Sequence, residues 1–415
     1  MIELRSTGIN FDIEIDLPAS KSIHNRVLIL DRLYDLGLTI KNPSDSGDTK
    51  LLETLLNSEE NTLNCENAGT VLRFLTAYFS VKNTDVTITG SSRMLERPVD
   101  DLVNALNQLG ANIHYIEKTG FPPILIHDGM QKGGKVMTRG NKSSQFISAL
   151  CMIGPYLENG LEILIEGEIS SRPYIEMTIK LMQYLGFDIH FEDNKIKAEH
   201  WNKVVAITEI EIEPDWSAVG FWFQIIALSK NSKIFLKRLK STSIQGDSIL
   251  INWAGMLGLK LSEQPGGILI ERSNEQIINN SNWDLKNYPD LAPSIIVLLS
   301  ASKRRATFKG LESLKIKESD RTLALQTELK KCGVKLEQDK DEWVLDATGF
   351  ELKEGTIFEN YNDHRIAMAL ATLAFIKPIK MENPETVGKS YPGFWKDLQF
   401  GNLEIWKFGN SNLEI

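Results

Sequence analysis

The strongest constraint on the fold is a junction that occurs four times along the chain. An apolar pattern with helical spacing ends at a glycine, and a short alternating stretch typical of a strand follows it. The four glycines are Gly110, Gly186, Gly258 and Gly333, separated by 76, 72 and 75 residues. Glycine is favoured there because the residue after a helix often takes a left-handed backbone conformation. The near-constant interval predicts a repeated structural unit.

A second kind of helix is predicted between these junctions, with polar first residues and an apolar body. Its six copies begin near positions 20, 68, 143, 215, 290 and 362, and a short strand pattern follows each. The sequence therefore predicts an α/β fold of six helix–strand modules grouped into globular domains. A one-dimensional solenoid is the alternative. A doubly wound nucleotide-binding fold is disfavoured because the chain lacks GxxxxGK[ST] and has no GxGxxG after a strand pattern.

Composition restricts the classes of function. The 415 residues carry a formal net charge of -9, which argues against a nucleic-acid partner but leaves room for a small anionic substrate where basic residues are concentrated. No apolar run approaches the roughly 18 residues of a membrane span, and the acidic, alternating first stretch is unlike a signal peptide. The scattered cysteines, Cys65, Cys151 and Cys332, argue against disulfides or a zinc site and fit a reducing cytoplasm.

Basic and small polar residues recur at the polar helix starts and in the loops before the glycine-ending helices. A helix N-terminus attracts anions because it offers free N–H groups and the positive end of the helix dipole. Residues of this kind are Lys21, Ser22, Arg26, Gly69, Arg97, Ser143, Ser144, Gln145, Lys317, Arg321, Arg365 and Lys389. A single serine there is more often a simple N-cap, and the charges at 315–321 alone could form a solvated surface. Their recurrence predicts a site for one or two small, multiply charged anions.

Two acidic residues are the candidates for proton transfer. Asp290 opens a helix with an apolar body, and Glu318 lies within one predicted helical turn of Lys317 and Arg321. Neighbouring cations favour the ionised carboxylate, which can accept a proton. Asp290 alone could equally be an ordinary helix cap. In the preceding loops, Pro98 and Pro173 are predicted to occupy first turns of helices.

Seven motifs, in order from residue 20 to residue 395, resemble the 5-enolpyruvylshikimate-3-phosphate synthase family of enolpyruvyl transferases. They are SKSIHNR, NAGTVLR, ERP, SSQ, KESDR, NDHR and a late GK. The resemblance implies two domains, each of three βαβαββ repeats arranged as an inside-out α/β barrel. The expected first lobe combines residues 1–17 with 214–415, the second lobe is 18–213, and the active site lies in the cleft between them. The segment 201–218 is the candidate for one crossing between the lobes.

The resemblance also implies the reaction. The enolpyruvyl group of phosphoenolpyruvate moves to the 5-hydroxyl of shikimate 3-phosphate, and phosphate is released on the route to chorismate and the aromatic amino acids. The reaction runs by addition and elimination through a tetrahedral intermediate, without a metal or an organic cofactor. We expect a cytoplasmic monomer that closes on its two small substrates and has neither a nucleic-acid nor a membrane partner.

The residues that match the family's motifs take on expected roles. Those expected to contact shikimate 3-phosphate are Lys21, Ser22, Arg26, Ser143, Ser144, Gln145, Ser171, Tyr174, Asp290, Ser313 and Lys317. Those expected to contact phosphoenolpyruvate are Lys21, Gly69, Arg97, Gln145, Arg321, Arg365 and Lys389. Asp290 is the expected base for the 5-hydroxyl, and Lys21 and Glu318 are expected to handle the other protons. Ser313 stands where many members of the family have asparagine.

Two other functions compete with this interpretation. The UDP-N-acetylglucosamine enolpyruvyl transferases share the fold and the donor, but they usually carry a cysteine in a mobile loop of the first half. The corresponding stretch here, residues 91–100, has none. A non-catalytic anion-binding protein built on the same repeats would not require Asp290 and Glu318 beside the cations.

Overall fold

The computed structural model describes residues 1–8, 10–202, 206–229, 231–273 and 281–407. Its α-helices are α1 Lys21–Tyr34, α2 Gly47–Leu56, α3 Gly69–Phe79, α4 Ser92–Leu95, α5 Asp100–Gln108, α6 Ser144–Ile153, α7 Arg172–Tyr184, α8 Trp216–Leu228, α9 Leu250–Trp253, α10 Ala292–Ala301, α11 Arg321–Lys330, α12 His364–Ala371 and α13 Phe394–Phe400. The 3-10 helices are Gly154–Tyr156, Gly246–Ile249, Gly255–Leu257, Glu312–Ile316, Thr372–Phe375 and Pro384–Lys389.

The strands are short and spread along the whole chain. They are β1 Ile2–Ser6, β2 Asp12–Ile15, β3 Thr39–Lys41, β4 Thr62–Asn64, β5 Val86–Thr89, β6 Asn112–Tyr115, β7 Ile124–His127, β8 Gly134–Arg139, β9 Leu161–Glu166, β10 Ile189–Glu192, β11 Lys195–Ala198, β12 Glu209–Glu211, β13 Lys233–Lys237, β14 Leu259–Gln264, β15 Gly267–Arg272, β16 Asn282–Asp284, β17 Arg305–Lys309, β18 Lys335–Asp339, β19 Glu342–Asp346, β20 Thr356–Phe358, β21 Ile379–Met381 and β22 Leu403–Lys407.

The described strands form six separate sheets, none of which closes into a barrel. Five have four strands and share one topology, a parallel pair extended by two antiparallel neighbours. Their orders are β4-β5-β7-β6, β8-β9-β11-β10, β2-β13-β15-β14, β16-β17-β19-β18 and β20-β21-β1-β22. The sixth is the parallel pair β3 and β12. The last sheet joins the two ends of the described chain, with Leu4 opposite Ile405.

Buried apolar side chains form two separate clusters. One draws on residues 2–17 and 216–403, and we call this part the first lobe. The other draws on residues 19–212, the second lobe. The helices α8 and α10 are apolar on all sides, as helices enclosed by other elements must be. Two compact clusters exclude the solenoid alternative.

The chain passes between the lobes at two adjacent places. Ala19 and Pro214 form an isolated antiparallel bridge, and the amide of Ser20 donates to the carbonyl of Glu213 at 2.8 Å. The crossings therefore lie side by side, where small backbone rotations can change the angle between the lobes. Residues 203–205 of the predicted crossing segment and residues 408–415 of the predicted first lobe lie outside the described residues.

The four junction glycines take the predicted conformation. Their φ angles are 99° at Gly110, 92° at Gly186, 76° at Gly258 and 74° at Gly333. The prediction of a continuous helix before Gly258 is wrong. Residues 246–257 instead form two 3-10 turns around the short α9. Gly255 lies inside that stretch, and a glycine costs a helix interior about 1 kcal/mol relative to alanine.

Two predicted helix starts also lie elsewhere. Asp290 does not open its helix, because Leu291 is the N-cap and α10 begins at Ala292. Pro98 precedes α5, which begins at Asp100, whereas Pro173 does lie in the first turn of its helix. Asp290 therefore lies in the turn before α10, and its carboxylate is free for contacts with other elements.

In the described part of the chain, no helix combines the length and apolar character that crossing a membrane requires.

Candidate active site

A cleft between the two lobes brings most of the predicted residues together. The space within it amounts to about 1080 Å³ when the solvent at its open mouth is included. From the second lobe it is lined by Lys21, Ser22, Arg26, Arg97, Ser143, Ser144, Gln145, Ser171 and Tyr174. From the first lobe it is lined by Asp290, Ser313, Lys317, Glu318, Arg321 and Arg365. The residues are up to 344 positions apart in sequence, from Lys21 to Arg365, so only folding gathers them.

The two remaining predicted residues lie directly behind the lining. A Cβ atom built on Gly69 would be 2.4 Å from Nη2 of Arg97. The ammonium group of Lys389 donates to the carbonyl of Asn67 at 2.7 Å and lies 3.8 Å from the Glu318 carboxylate. Both positions therefore adjoin the cleft without forming its surface.

Helix starts position much of the cleft, as predicted. α1 begins at Lys21, α3 at Gly69 and α6 at Ser144. Ser143 does cap a helix, because its hydroxyl accepts from the amide of Gln145 at 3.3 Å. The simple capping interpretation is thus correct for Ser143, which nevertheless lines the cleft.

The charges of the lining are strongly unbalanced. Eight lysine and arginine residues line the cleft, against three acidic residues. Arg97 is 3% exposed, its Nη1 donates to the Asn67 carbonyl at 3.3 Å, and its Nε has no partner among the described residues. Burial lowers the pKa of Arg97. Such a buried cation is stabilised by an anion that enters the cleft.

Asp290 lies between two arginines of its own lobe. Its carboxylate is 3.2 Å from Nη1 of Arg321 and 2.7 Å from Nη2 of Arg365. Burial disfavours its ionised form, but the surrounding cations outweigh burial and hold its pKa below the ordinary value. Asp290 is therefore a carboxylate at neutral pH.

Arg321 is the centre of the charged network. Besides Asp290, it pairs with Glu318 at 2.8 Å and with Asp363 at 2.8 Å, and it is 1% exposed. Burial is again outweighed by neighbouring cations, which hold the pKa of Glu318 well below its ordinary value. Burial and the nearby cations hold the pKa of His364 well below its ordinary value, so this imidazole is neutral at pH 7.

In the second lobe, hydrogen bonds fix two of the predicted cations. Lys21 pairs with Asp48 at 2.9 Å. Arg26 donates to the hydroxyls of Thr178 and Ser148 and to the carbonyl of Ser22. Burial lowers the pKa of Arg26 to about 10, which leaves it charged at neutral pH. Both side chains are therefore oriented by the protein itself.

Several residues of the site were missed by the sequence analysis. Asp48, Asn67 and Asp363 hold predicted cations, while Lys142 lines the cleft. Asn67 and Asp363 lie within the quoted motifs NAGTVLR and NDHR, and Lys142 directly precedes SSQ, so proximity to these motifs could have identified all three.

A fifth missed residue, Asp247, accepts from the Tyr174 hydroxyl across the lobes at 2.9 Å. Burial and Asp290 raise the pKa of Asp247 to about 7. Among the described residues, no three histidine, cysteine or acidic side chains form a group suited to a metal ion.

Replacing Gly69 with alanine is expected to weaken the binding of a small phosphate-bearing anion in the cleft about tenfold. The new methyl group would lie 2.4 Å from Nη2 of Arg97 and 2.6 Å from Nη1 of Arg73, so these guanidinium groups must move. Overpacking of this kind costs about 1–3 kcal/mol. Calorimetric titration measures the effect, with Gly255→Ala as the control, since a Cβ on Gly255 meets nothing within 4 Å. An unchanged affinity would show that Arg97 tolerates the methyl group.

Comparisons with known proteins agree on one family. The family model of EPSP synthase (3-phosphoshikimate 1-carboxyvinyltransferase) matches residues 51–398. The 3-phosphoshikimate 1-carboxyvinyltransferase of Bacteroides fragilis is 41% identical over 395 residues, which cover 94% of this chain and 95% of that protein. The protein of the same name from Haemophilus influenzae is 30% identical over 419 residues, covering 93% and 95%. A solved EPSP synthase structure from Acinetobacter baumannii matches the fold with a TM-score of 0.76, at 20% identity, over 98% of this chain and 99% of that one.

Proposed function

Because the chain belongs to the EPSP synthase (3-phosphoshikimate 1-carboxyvinyltransferase) family, we propose that its cleft transfers the enolpyruvyl group of phosphoenolpyruvate to the 5-hydroxyl of shikimate 3-phosphate. The observation that carries the proposal is the excess of buried cations gathered there from both lobes. The two substrates together bring two phosphates and two carboxylates. In an enclosed cleft these charges exchange water for fixed cations and N–H groups.

The two lobes defined by their apolar clusters are the proposed domains, residues 1–17 with 214–415 and residues 18–213. The adjacent crossings at Ala19 and Pro214 support a hinge there. Closure of the hinge brings Lys317 and Arg321 of one lobe to Lys21 and Arg97 of the other. Substrate binding then depends on lobe movement.

The acceptor is assigned mainly to the second lobe. Arg26 and the serines of α6 supply donors for its phosphate and carboxylate, and Tyr174 covers its ring. The proposed contacts are Lys21, Ser22, Arg26, Ser143, Ser144, Gln145, Ser171, Tyr174, Asp290, Ser313 and Lys317. The Ser313 hydroxyl lines the cleft, is buried and has no partner among the described residues, which suits a ligand contact.

The donor is assigned to a place where both lobes contribute. The planar guanidinium groups suit its phosphate and carboxylate, which they can bind with paired hydrogen bonds. The proposed contacts are Lys21, Gly69, Arg97, Gln145, Arg321, Arg365 and Lys389. For Gly69 the contact is backbone approach, since Arg97 fills the space beside its Cα.

The chemical step needs three proton transfers. The 5-hydroxyl oxygen attacks C2 of phosphoenolpyruvate as Asp290 takes the hydroxyl proton, and C3 gains a proton from Lys21. The ionised Glu318 then takes a proton from C3, which reforms the double bond as the C2–O bond to phosphate breaks. When the substrate anions engage Arg321 and Arg365, these arginines pull less on Asp290, so its pKa rises and it becomes a better base.

Phosphate release tests the proposed function. Purified protein with phosphoenolpyruvate and shikimate 3-phosphate should release phosphate, whereas UDP-N-acetylglucosamine as the acceptor should give none. Phosphate release with UDP-N-acetylglucosamine would overturn the assignment. The absence of release with both acceptors would overturn it as well. Titration of phosphoenolpyruvate should show strong synergy with shikimate 3-phosphate, and independent binding would contradict the closing cleft.

We propose in addition that the enzyme acts as a cytoplasmic monomer. The two lobes of one chain bring 15 of the 17 predicted site residues into the cleft lining, which supports a site formed within one subunit. Cys65, Cys151 and Cys332 are buried free thiols, which suits a reducing compartment. Size-exclusion chromatography with light scattering measures the oligomeric state.

A further inference from the structure

Arg93 lies outside the cleft, on α4 of the second lobe, yet its side chain reaches the first lobe. Its Nη2 donates to the main-chain carbonyl of Lys315 at 3.0 Å and to that of Lys317 at 3.3 Å. Its Nη1 donates to the carboxylate of Glu96, in its own lobe, at 3.0 Å. One side chain thus connects α4 to residues 315–318, which we call the cleft segment.

The second lobe holds the cleft segment at one further carbonyl. Nδ2 of Asn67 donates to the carbonyl of Glu318 at 3.3 Å. The segment begins in the last two residues of the 3-10 helix Glu312–Ile316, and the last carbonyls of a helix need partners from outside it. Lys317 and Glu318 line the cleft, so these main-chain bonds fix residues that face the substrates.

We propose that Arg93 is a positioning residue, which places Lys317 and Glu318 by binding the carbonyls of the cleft segment when the lobes come together. The proposal rests on the proposed function, because the position of these two side chains matters only if the cleft handles the two acids. Arg93 is not among the residues that line the cleft. Its planar guanidinium binds two carbonyls and a carboxylate at once, a geometry that lysine cannot reproduce.

This role predicts which kinetic constant changes. The donor contacts come from both lobes, so only the closed arrangement binds phosphoenolpyruvate fully. Losing a contact that stabilises closure lowers the fraction of competent protein, and the apparent dissociation constant rises by the inverse of that fraction. Saturating substrate restores closure, and the bond from Asn67 to the carbonyl of Glu318 then still positions this residue. The loss therefore falls on KM and leaves kcat nearly unchanged.

The test is Arg93→Met. We expect the KM for phosphoenolpyruvate to rise roughly 10- to 100-fold, as for the loss of hydrogen bonds from a charged group, and kcat to stay within about threefold. The KM of Arg93→Lys should lie between that of Arg93→Met and the wild-type value. Glu168→Gln is the matched control, since Glu168 also pairs across the lobes, with Lys286, but is 74% exposed. Its KM should stay within about twofold of the wild-type value.

A second readout separates this proposal from the proposed function. Hydrogen exchange over residues 312–320 is measured with phosphoenolpyruvate and shikimate 3-phosphate present. It should be faster in Arg93→Met than in the wild-type protein or in Glu168→Gln. If the wild-type protein shows no turnover, the proposed function fails while the exchange comparison still decides the role of Arg93. Unchanged exchange, or a fall in kcat without a rise in KM, would overturn the proposal. If melting shows that Arg93→Met is unfolded, Arg93→Lys decides by the same criteria.

Discussion

Replacing Asp290 with asparagine is expected to lower kcat by at least about a hundredfold and to change substrate binding by less than about tenfold. Asparagine keeps the size of the side chain and one acceptor oxygen, but it cannot take the proton of the 5-hydroxyl. General-base catalysis is typically worth 10²–10⁴ in rate. Binding is preserved because Arg321 and Arg365, released from the carboxylate, remain available to the anionic substrates. Steady-state kinetics and calorimetric titration measure the two effects separately.

Asp247→Asn is the contrasting variant for this prediction. Asp247 is also a buried carboxyl near Asp290, and its pKa is raised to about 7, so part of the population is already protonated at neutral pH. Asparagine mimics that protonated form, and we expect a loss of less than about tenfold in kcat. Near-normal turnover of Asp290→Asn would remove Asp290 from the mechanism. Equal losses in both variants would point to a general effect of buried charge.

Local sequence patterns predicted the elements of the fold well. The four glycines required a positive φ whatever surrounded them, so Gly110 and its counterparts could be placed from the sequence alone. The failures occurred where two local signals competed. Around α9 the apolar spacing indicated a helix, but Gly255 lay inside it and the helix broke into turns. At Asp290 the cap position was misjudged because Leu291, two residues before Pro293, takes that place.

The candidate site was predictable where the type of a residue indicates what it binds. Arginine, lysine and serine at helix starts indicate anion binding, and 15 of the 17 predicted residues line the cleft. Contacts between the lobes gave no such signal. Arg93 recognises main-chain carbonyls 222 and 224 positions away, and any residue type supplies a carbonyl. Asn67 is similar, since its carbonyl accepts from Lys389, 322 positions away. Such pairings depend on the relative position of the lobes, which the local pattern does not contain.

The charged network links stability to activity. Cations and carboxylates that face each other without substrate hold the cleft in shape, and the same cations must exchange part of these contacts for substrate anions. Arg321 shows this most clearly, because it pairs at once with Asp290, Glu318 and Asp363. Its buried guanidinium therefore supports the first lobe and is assigned to the donor.

Replacing Arg321 with methionine is expected to lower the free energy of unfolding of the first lobe by about 3–5 kcal/mol and kcat/KM by at least about a thousandfold. The variant leaves one fully buried carboxylate, Asp363, and two partly buried ones without their shared cation, and removing one partner of a buried ion pair typically costs that amount. The donor also loses a charged, bidentate contact. Denaturation followed by tryptophan fluorescence reports on the first lobe, because seven of the eight tryptophans lie at or after position 216 and only Trp201 lies before it.

Two variants make this result interpretable. Arg305→Met removes a pair with Asp346 in the same lobe, but Arg305 is 72% exposed, so we expect a cost below about 1 kcal/mol. Arg321→Lys keeps the charge without the fork of donors; it should recover part of the stability but little of the activity. If Arg321→Met unfolded like Arg305→Met, the three carboxylates would not depend on Arg321. If Arg321→Lys restored activity fully, a single positive charge would suffice for the donor, and paired hydrogen bonding would not be needed.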